Sequence, residues 1–388
     1  MQWIHLSPHF PPNFHIFSQR FKHRGGRVLG ITDQHLLQLN PALRNSLHDH
    51  ETVTSLHNET EVIAAVDRLI QRNGTIDFVE SHLEPWLPLE AKIRQTFGIR
   101  GALPEEIEGI QQKSRMKEIF RKAGALVVEG EILKSFEQAL DFINKFGLPV
   151  IIKPDTGIGA QDTHKIESIG DLQTFFHHNK NEETYFIEVF VEGDIVTFDG
   201  LCNANKEPLF FTSHQYSNDA RAIAKQKLDF YYYNYRDIPQ DLEIIGKAIL
   251  RLIPSANKFF HLEFFRTPQG GLVALEINMR PPGGLTTDMF NYATDQDLYD
   301  LWARVVIEGL QEHPYQRKYH CAHISRRESN SLSYKYTHDQ CIKYLGENLC
   351  HYRKLNPLYA TLMGEHAYII RTENMEDLRH IAAYMHAK

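Results

Sequence analysis

The stretch LVALEINMRPPGG, residues 272–284, decides the fold because polar residues interrupt an apolar strand at every second position. Successive side chains of a strand point to opposite faces. The expected faces are an apolar one with Val273, Leu275, Ile277 and Met279, and a polar one with Glu276, Asn278 and Arg280. A lone strand of this kind is usually half exposed, with a solvated polar face. The residues before it decide between that interpretation and a functional one.

The preceding segment, FFHLEFFRTPQGG (259–271), has the pattern of a second strand that ends in a turn. A two-residue turn at Gln269–Gly270 would place Glu263 opposite Glu276, and His261 opposite Asn278. Two carboxylates that face each other across a ladder repel, and apolar neighbours increase the cost. A divalent cation such as Mg²⁺ removes the repulsion, because it prefers carboxylate and phosphate oxygens as ligands. The sequence therefore predicts a metal site between the two strands.

The composition excludes several classes of protein. A length of 388 residues allows two or three domains, and a net charge of −7 argues against a nucleic-acid-binding surface. The four cysteines have no CxxC spacing, which indicates reduced thiols rather than disulfides or a zinc site. No apolar run approaches a membrane span, and the N-terminus lacks the pattern of a signal peptide. We therefore expect a cytoplasmic protein that binds neither nucleic acid nor membrane.

The first 105 residues alternate between strand and helix patterns. WIHLS, GRVLGITD and TIDFVES are typical of strands, and EVIAAVDRLIQRNG of a helix that ends at Gly74. This alternation predicts a small parallel sheet of Rossmann type, although no GxGxxG is present to indicate dinucleotide binding. The HDH triplet (48–50) is interpreted as a surface loop.

Later segments predict a mixed α/β chain. A helix is expected in KSRMKEIFRKAG (113–124), and strands in LPVIIK, TYFIEVFVEGDIVTFDGLCNA and EPLFFTSHQY. TDQDLYDLWARVVIEG predicts a helix capped near Thr294, with Leu298, Leu301, Trp302 and Val305 facing inward. The tail after residue 315 predicts further strands and helices.

Lys153 ends the strand PVIIK and precedes a loop that contains Gly157 and Gly159. In this position its ammonium is suited to phosphate oxygens, and the glycines allow backbone N–H groups to approach the same oxygens. The alternative is a solvated lysine at a strand end. The segment is not a P-loop, because GxxxxGK[ST] does not occur in the chain.

Glu188 lies among the apolar residues of YFIEVFVEG and also has two interpretations. It is either a solvent-facing residue of an edge strand or part of a linker strand. In the second case, Glu188 and the backbone of Val189–Val191 face the edge of an adenine ring.

In their order and spacing, these segments resemble the ATP-grasp superfamily over roughly residues 80–310. KSRMKEIFRKAG looks like the helix whose first lysine, here Lys113, contacts a nucleotide phosphate. PVIIKPDTGIGA looks like the segment with the second ATP lysine, Lys153, and its glycine loop. HLEFFRTPQGGLVALEINMR is similar to the paired metal-binding strands and is the most specific part of the resemblance.

The resemblance implies ATP and Mg²⁺ as cofactors, with Mn²⁺ as an alternative ion, and a set of site residues. Arg280 and Lys153 are implied as catalytic residues, with Arg280 on a phosphate or on the substrate carboxylate. The implied metal ligands are Glu263, Glu276 and Asn278. The implied ATP-binding residues are Lys113, Lys153, Gly157, Gly159, Glu188, Val191 and Asp194, the last standing where members often carry a glutamate.

The resemblance also implies the α/β (α+β) fold class and a division of the chain. We expect a Rossmann-like domain at 1–105, an ATP-grasp domain at 106–310 and an α/β extension at 311–388. Within the ATP-grasp domain, a small lid part would cover about 113–187 and a larger metal-binding part about 188–310.

The function implied is that of an ATP-dependent carboxylate–amine ligase that forms a C–N bond through an acyl phosphate. PPGGLTTD, after Arg280, lacks the EHPVTE-like continuation of biotin carboxylases and is closer to carboxylate–amine ligases, including amino-acid ligases. The alternatives are a carbamoyl-phosphate-synthase-like or purine-pathway enzyme, and a nucleotide-binding regulatory module without catalysis. The expected partners are a small carboxylate and an amine, with a homodimer as the expected assembly.

Specificity is assigned to two segments, PPGGLTTD and ESHLEPW (80–86). Within the second, Glu84 is either a helix-start residue or a substrate contact.

Overall fold

The computed structural model describes residues 1–157, 162–179, 183–217, 229–328, 334–355, 360 and 364–388. The described strands form three sheets, and helices accompany each of them, so the predicted α/β class is confirmed. None of the described helices combines the length and the apolar composition that crossing a bilayer requires.

The first sheet is parallel, with the strand order β3-β2-β1-β4. Its strands are β1 (Gln2–Leu6), β2 (Arg27–Thr32), β3 (Leu47–Thr52) and β4 (Phe78–Glu80). Its helices are α1 (His15–His23), α2 (Pro41–Ser46), α3 (Glu59–Asn73) and α4 (Leu87–Phe97). The three predicted strands and the helix that ends at Gly74 are confirmed.

The HDH triplet is not a loop, because it lies within the edge strand β3. The strand lacks an apolar pattern since two of its acidic side chains form ion pairs with a neighbouring helix. Asp49 and Glu51 both accept from Arg72 of α3, at 2.9 and 2.6 Å.

The second sheet is antiparallel, with the strand order β5-β8-β6-β7. Its strands are β5 (Gly130–Leu133), β6 (Val150–Pro154), β7 (His164–Ile166) and β8 (Tyr185–Val189). The helices of this part are α5 (Pro104–Gln111), α6 (Lys113–Lys122), α7 (Phe136–Phe146) and α8 (Ile169–His178). The predicted helix α6 packs into the core of the central sheet through Met116 and Phe120.

The third sheet is the central one, with the order β14-β13-β9-β11-β12-β15-β17-β16 and with β10 paired to β9. Its strands are β9 (Asp194–Cys202), β10 (Pro208–Thr212), β11 (His214–Tyr216), β12 (Tyr231–Asn234), β13 (Phe259–Arg266), β14 (Leu272–Asn278), β15 (His320–Arg326), β16 (Leu349–Lys354) and β17 (His366–Thr372). Its helices are α9 (Gln240–Leu252), α10 (Thr286–Thr294), α11 (Leu298–Glu308), α12 (His338–Leu345) and α13 (Met375–Met385). The strands after residue 311 therefore continue the sheet that carries β13 and β14.

The helix expected to be capped near Thr294 begins later. Thr294 ends α10, and Asp295 then adopts a left-handed backbone that breaks the helix. Asp297 is the N-cap of α11, because its side chain accepts from the Asp300 N–H at 3.0 Å. The four residues predicted to face inward are buried.

The hairpin of β13 and β14 has the predicted pairing at its polar residues, with Glu263 opposite Glu276 and His261 opposite Asn278. The assumed two-residue turn is wrong, since the Thr267 N–H donates to the Gly271 carbonyl at 2.9 Å and leaves a loop of three residues. An irregularity in β14, where the partner of Glu263 is Glu276 but that of Phe264 is Ala274, compensates for the longer loop.

The same bulge changes the apolar face of β14. Leu272 and Ala274, rather than Val273 and Leu275, pack in one core with Ile277 and Met279. The predicted alternation is therefore correct only beyond the bulge, where the polar residues lie.

Candidate active site

Two rows of polar residues cross three neighbouring strands of the central sheet. One row joins Thr197, Glu263 and Glu276, and the next joins Asp199, His261 and Asn278. Because residues two apart on a strand share a face, both rows lie on the same face of the sheet.

The facing glutamates differ in charge state. Burial raises the pKa of Glu276 to about 7, and the Glu263 carboxylate adds to the shift. Burial also opposes the ionisation of Glu263, but the hydrogen bond from His261 and the positive charges of His261 and Arg280 together outweigh burial and lower the pKa of Glu263. Of the two facing glutamates, Glu276 is therefore the one that is protonated more easily when no metal ion is bound.

His261 joins the Glu263 carboxylate to a buried aspartate, Asp199. Its Nδ1 lies 2.6 Å from Asp199 Oδ1, and its Nε2 lies 3.1 Å from Glu263 Oε1. Burial opposes the charge of His261, yet Asp199 and Glu263 together raise its pKa to about 9. Carboxylates only accept hydrogen bonds when ionised, so both ring nitrogens donate and His261 is an imidazolium.

The Asp199 carboxylate also contacts a second histidine, His214, whose Nδ1 lies 2.7 Å from Asp199 Oδ2. Ligand atoms of Asp199, His214 and His261 lie within 4.8 Å of one another, a spacing that a metal ion also permits. The two nitrogen–oxygen distances are those of hydrogen bonds, which already satisfy the aspartate. This cluster is therefore a support for Glu263 and not a second metal site.

Lys113 and Lys153 lie near each other because Asp155 connects their elements. The backbone N–H of Lys113, at the start of α6, donates to the Asp155 carbonyl at 2.8 Å, directly after β6. The Asp155 carboxylate accepts from the backbone N–H of Ser114 at 2.8 Å. Lys113 Nζ lies 3.4 Å from the Gly157 carbonyl. Burial lowers the pKa of Lys113, and Glu276 is the largest opposing influence.

The Glu188 carboxylate forms ion pairs with two lysines. Lys153 Nζ lies 2.5 Å from Oε1, and Lys117 Nζ lies 2.9 Å from Oε2. Burial opposes its ionisation, but the two lysines outweigh burial and lower its pKa to about 2. β8 lies inside its sheet and Glu188 is buried, which excludes the solvent-facing interpretation. Sequence reasoning missed Lys117, although it lies one turn after Lys113 on the same helix face.

The remaining residues assigned to ATP make fewer contacts with the residues described above. Val191 is partly exposed in the segment between β8 and β9. Asp194 begins β9 and accepts from Gln215 Nε2 at 3.0 Å. Gly159 lies outside the described residues.

Arg280 follows β14, and its side chain approaches Glu84, which lies after the last strand of the first sheet. Its guanidinium donates to the Pro281 carbonyl at 2.9 Å, and it lies 3.4 Å from Asn278 Oδ1. Its Nε is 3.9 Å from Glu84 Oε2. Glu84 begins a short 3-10 helix, as one interpretation expected, and its buried carboxylate points toward Arg280.

The arrangement combines oxygen ligands with cations. Two carboxylates and the Asn278 amide offer oxygens to a hard cation. Lys113, Lys153 and Arg280 approach from the neighbouring elements and favour bound anions. Such a set fits a metal–polyphosphate complex next to an acidic substrate.

Comparison with known proteins gives a consistent family of relatives. A family model described as carbamoyl-phosphate synthase L chain, ATP binding domain, matches residues 112–195. The L-arginine-specific L-amino acid ligase of Bacillus subtilis is 25% identical over 244 residues, which cover 61% of this chain and 59% of that ligase. The alanine–anticapsin ligase of Bacillus subtilis (strain 168) is 27% identical over 100 residues, 25% of this chain and 21% of that ligase. The chain thus spans less than two thirds of the length of these curated relatives.

Solved structures match over nearly the whole chain. The L-amino acid ligase from Bacillus licheniformis has a TM-score of 0.75 at 13% identity, covering 99% of this chain and 96% of that one. The N5-carboxyaminoimidazole synthetase from Staphylococcus aureus, complexed with ADP, has a TM-score of 0.73 at 14% identity, covering 98% and 95%. The fold implied by the sequence resemblance is confirmed.

Proposed function

We propose that this chain, which has the ATP-grasp fold, is an ATP-dependent ligase that joins a carboxylate to an amine. The observation that carries the proposal is the pair of facing carboxylates, Glu263 and Glu276, with Arg280 at the end of the same hairpin. Two opposed, largely buried acids on one sheet face are costly unless a cation is bound between them.

The described residues fit Mg²⁺. Glu263, Glu276 and the Asn278 amide would hold the ion, and its positive charge would offset the cost of ionising the buried Glu276 carboxyl. When bound, Mg²⁺ neutralises charge on the phosphate oxygens. The preference for oxygen ligands also permits Mn²⁺.

The cations of the site are assigned to ATP and to the acid. Lys113 and Lys153 hold phosphate oxygens, and the ion pairs of Glu188 fix the position of Lys153. Gly157 is assigned to the phosphates, and Val191 and Asp194 are assigned to the nucleoside. Arg280 binds the carboxylate of the acid substrate and stabilises charge as it reacts.

The reaction has two steps. A carboxylate oxygen attacks the γ-phosphorus, the bond to the β,γ-bridging oxygen breaks, and ADP leaves. The amine nitrogen then attacks the acyl carbon, the bond to the phosphate oxygen breaks, and the nitrogen loses a proton. The products are an amide, ADP and inorganic phosphate. The chain contributes mainly positioning and charge stabilisation to both steps.

The names of the relatives support this class of reaction. Two curated relatives are amino-acid ligases, and a ligase of this kind is also among the similar structures. Small-molecule acids and amines are therefore the proposed substrates.

A second candidate function is activation of bicarbonate, because the matching family model is named for carbamoyl-phosphate synthase and one of the similar structures, a biotin carboxylase domain, is a complex with ADP and bicarbonate. Arg280 is followed by Pro-Pro-Gly-Gly, which favours the first candidate. Hydrolysis of ATP that depends on bicarbonate and on no other acid would favour the second.

A hydroxylamine assay tests the proposal. Acyl phosphates react readily with hydroxylamine, so the correct acid, ATP and Mg²⁺ should give a hydroxamate together with ADP and phosphate. Glu276→Gln, which keeps the shape but removes a metal ligand, should lower the yield by at least about 100-fold. A broad screen of acids that yields a stable phosphoester, or leaves ATP intact, would show that the chain is not a ligase.

A further inference from the structure

The Glu263 carboxylate is held by a chain of side chains that leads away from the site. His261 Nε2 lies 3.1 Å from Glu263 Oε1, and His261 Nδ1 lies 2.6 Å from Asp199 Oδ1. His261 and Glu263 are two residues apart on β13, so their side chains share one face, and Asp199 lies opposite His261 on β9. His261 therefore contacts a residue assigned to the metal with one ring nitrogen and a buried aspartate with the other.

Asp199 is itself fixed from a second side. Its Oδ2 accepts from the hydroxyl of Thr197, on the same strand, and lies 2.7 Å from Nδ1 of His214, on β11. The side chains of Asp199 and His214 are completely buried, and that of His261 is 5% exposed. Because both oxygens of Asp199 have partners, a change of its rotamer would break several buried hydrogen bonds at once.

Glu276, the carboxylate opposite Glu263, has no comparable support. Within the parts of the chain that the structure describes, its side chain accepts no hydrogen bond, and burial and nearby charges alone act on its ionisation. The two facing acids therefore differ, because a hydrogen bond from an imidazolium orients only Glu263.

We propose that His261 is a positioning residue of the metal site: anchored on Asp199, it holds the Glu263 carboxylate in the orientation that binds the divalent cation. His261 acts through Glu263 and does not itself contact the cation. The inference rests on the proposed function, which assigns Glu263 to the metal, and it names the residues that determine how tightly the ion is held.

The physical reason is conformational freedom. A glutamate side chain has several rotatable bonds, and their freedom is lost when its carboxylate binds an ion. A hydrogen bond from a rigid imidazole restricts these bonds before the ion arrives, so that less freedom is lost on binding. Substitution of residues that orient metal ligands in this way typically weakens metal binding by about 10–100-fold.

The alternative is that the chain of side chains only stabilises the sheet. A buried ionic network is often no more stabilising than apolar side chains of similar volume, which makes stability a weak reason for it. The two roles use different atoms of His261, since Nε2 faces the metal ligand and Nδ1 faces Asp199. Substitutions that keep one nitrogen at a time therefore separate the roles.

Asparagine and glutamine provide these substitutions. The amide nitrogen of asparagine takes the place of Nδ1, so His261→Asn retains the donor to Asp199 and loses the donor to Glu263. The amide nitrogen of glutamine takes the place of Nε2, so His261→Gln retains the donor to Glu263 and loses the donor to Asp199.

Binding of Mn²⁺ is measured with saturating ADP present, from the electron paramagnetic resonance signal of the free ion. We expect His261→Asn to weaken Mn²⁺ binding by about 10–100-fold, because Glu263 is no longer oriented. His261→Gln should stay within about 5-fold of the wild type, because the donor to Glu263 is retained. Urea unfolding should show the opposite order, with His261→Gln the less stable variant, because Asp199 Oδ1 is then buried without a donor.

Two controls isolate the effect on the metal. His380→Asn makes the same substitution at an exposed position of α13 and should leave Mn²⁺ binding unchanged. Binding of ADP in EDTA, which uses Lys113 and Lys153 but no metal ion, should differ by less than about 2-fold among the four proteins. A variant that had lost its fold would fail this second control.

Mn²⁺ affinity equal to that of the wild type in His261→Asn would overturn the inference. An equal loss in both His261 variants would also overturn it, because such a loss reflects a general disturbance of the sheet. Neither result affects the ligase function. A wild type that binds no Mn²⁺ with ADP would instead overturn the metal site of the proposed function, and the inference with it.

Discussion

At the scale of single residues, the charge of Glu276 is the most informative property of the site. Burial raises its pKa to about 7, and Glu263 contributes to the shift. In the unfolded chain the same carboxyl has the ordinary value of 4.5. Between these two values, the folded chain keeps a proton that the unfolded chain has lost.

This difference predicts how stability depends on pH. Because the folded state binds the extra proton, the metal-free protein should lose stability as pH rises from about 4.5 to 7. Glu276→Gln cannot lose that proton. Between pH 5 and pH 8, the free energy of unfolding of the variant should therefore rise by about 2–3 kcal/mol relative to that of the wild type, as measured by urea unfolding in EDTA.

Adding Mg²⁺ with ADP at pH 8 should stabilise the wild type more than the variant, because only the wild type retains both carboxylate ligands. Parallel stability profiles for the two proteins from pH 5 to pH 8 would contradict the assigned charge state.

Some site residues were predictable one by one and others were not. Glu263 and Glu276 face each other within one hairpin, so local alternation sufficed to pair them. The contacts of Asp199 with His214 and His261 depend on the pairing of β9 with β11 and with β13, which a local sequence pattern does not reveal. A polar residue within the apolar strand IVTFDGL was the only local signal for Asp199.

At the scale of elements, the β13–β14 hairpin shows why register prediction succeeded. The loop is one residue longer than assumed, and the bulge in β14 adds one residue that restores the pairing. The bulge lies beside a contact from outside the hairpin, where the Ala274 N–H donates to the Leu126 carbonyl at 2.9 Å. A local pattern does not contain such a contact, so the apolar face before the bulge was mispredicted.

Strand β9 lies between β13 and β10, and Gly200 of β9 has little space for a side chain. A Cβ at this position would lie 2.1 Å from the Phe210 carbonyl oxygen and 2.6 Å from the Phe260 ring. Gly200→Ala should therefore destabilise the chain by about 3 kcal/mol, measured by thermal or urea unfolding.

The matched control is Gly109→Ala within α5, where the nearest atom to the added Cβ is 3.9 Å away. Alanine is the better helix former, so this variant should be more stable by up to about 1 kcal/mol. Equal stability of the two variants would mean that β10 moves away from β9 at no cost.

At the scale of the whole molecule, a buried ionic cluster joins the first sheet to the central one. Lys258, just before β13, lies 2.6 Å from Glu80 of β4 and 3.3 Å from Glu90 of α4. Arg94 completes the cluster with a 2.8 Å contact to Glu90. All four side chains are buried.

Removal of the central cation should therefore be costly. Lys258→Met leaves Glu80 buried without its cation, and the free energy of unfolding should fall by about 3–5 kcal/mol. The double variant Lys258→Met, Glu80→Gln should recover part of this loss, because it removes the uncompensated charge. A loss below about 1 kcal/mol in the single variant would show that water reaches the cluster.

Local sequence patterns predicted the elements of the C-terminal tail but not how they pair with the rest of the sheet. The strand AYIIR and the last helix were predicted, and the structure has them as β17 and α13. Their place in the central sheet depends on the pairing of β12 with β15, which involves residues about 90 positions apart. Long-range pairing of this kind leaves no signature in the periodicity of either strand.

The central claim is that a carboxylate oxygen of the substrate attacks the γ-phosphorus of ATP. It is tested most directly by labelling that oxygen. An acid that supports hydroxamate formation is prepared with ¹⁸O in its carboxylate and incubated with ATP, Mg²⁺ and an amine, and the phosphate released is examined by ³¹P NMR. With both carboxylate oxygens labelled, we expect one ¹⁸O atom in each inorganic phosphate formed, with ADP as the other product. Phosphate without ¹⁸O, or AMP and pyrophosphate in place of ADP and phosphate, would contradict it.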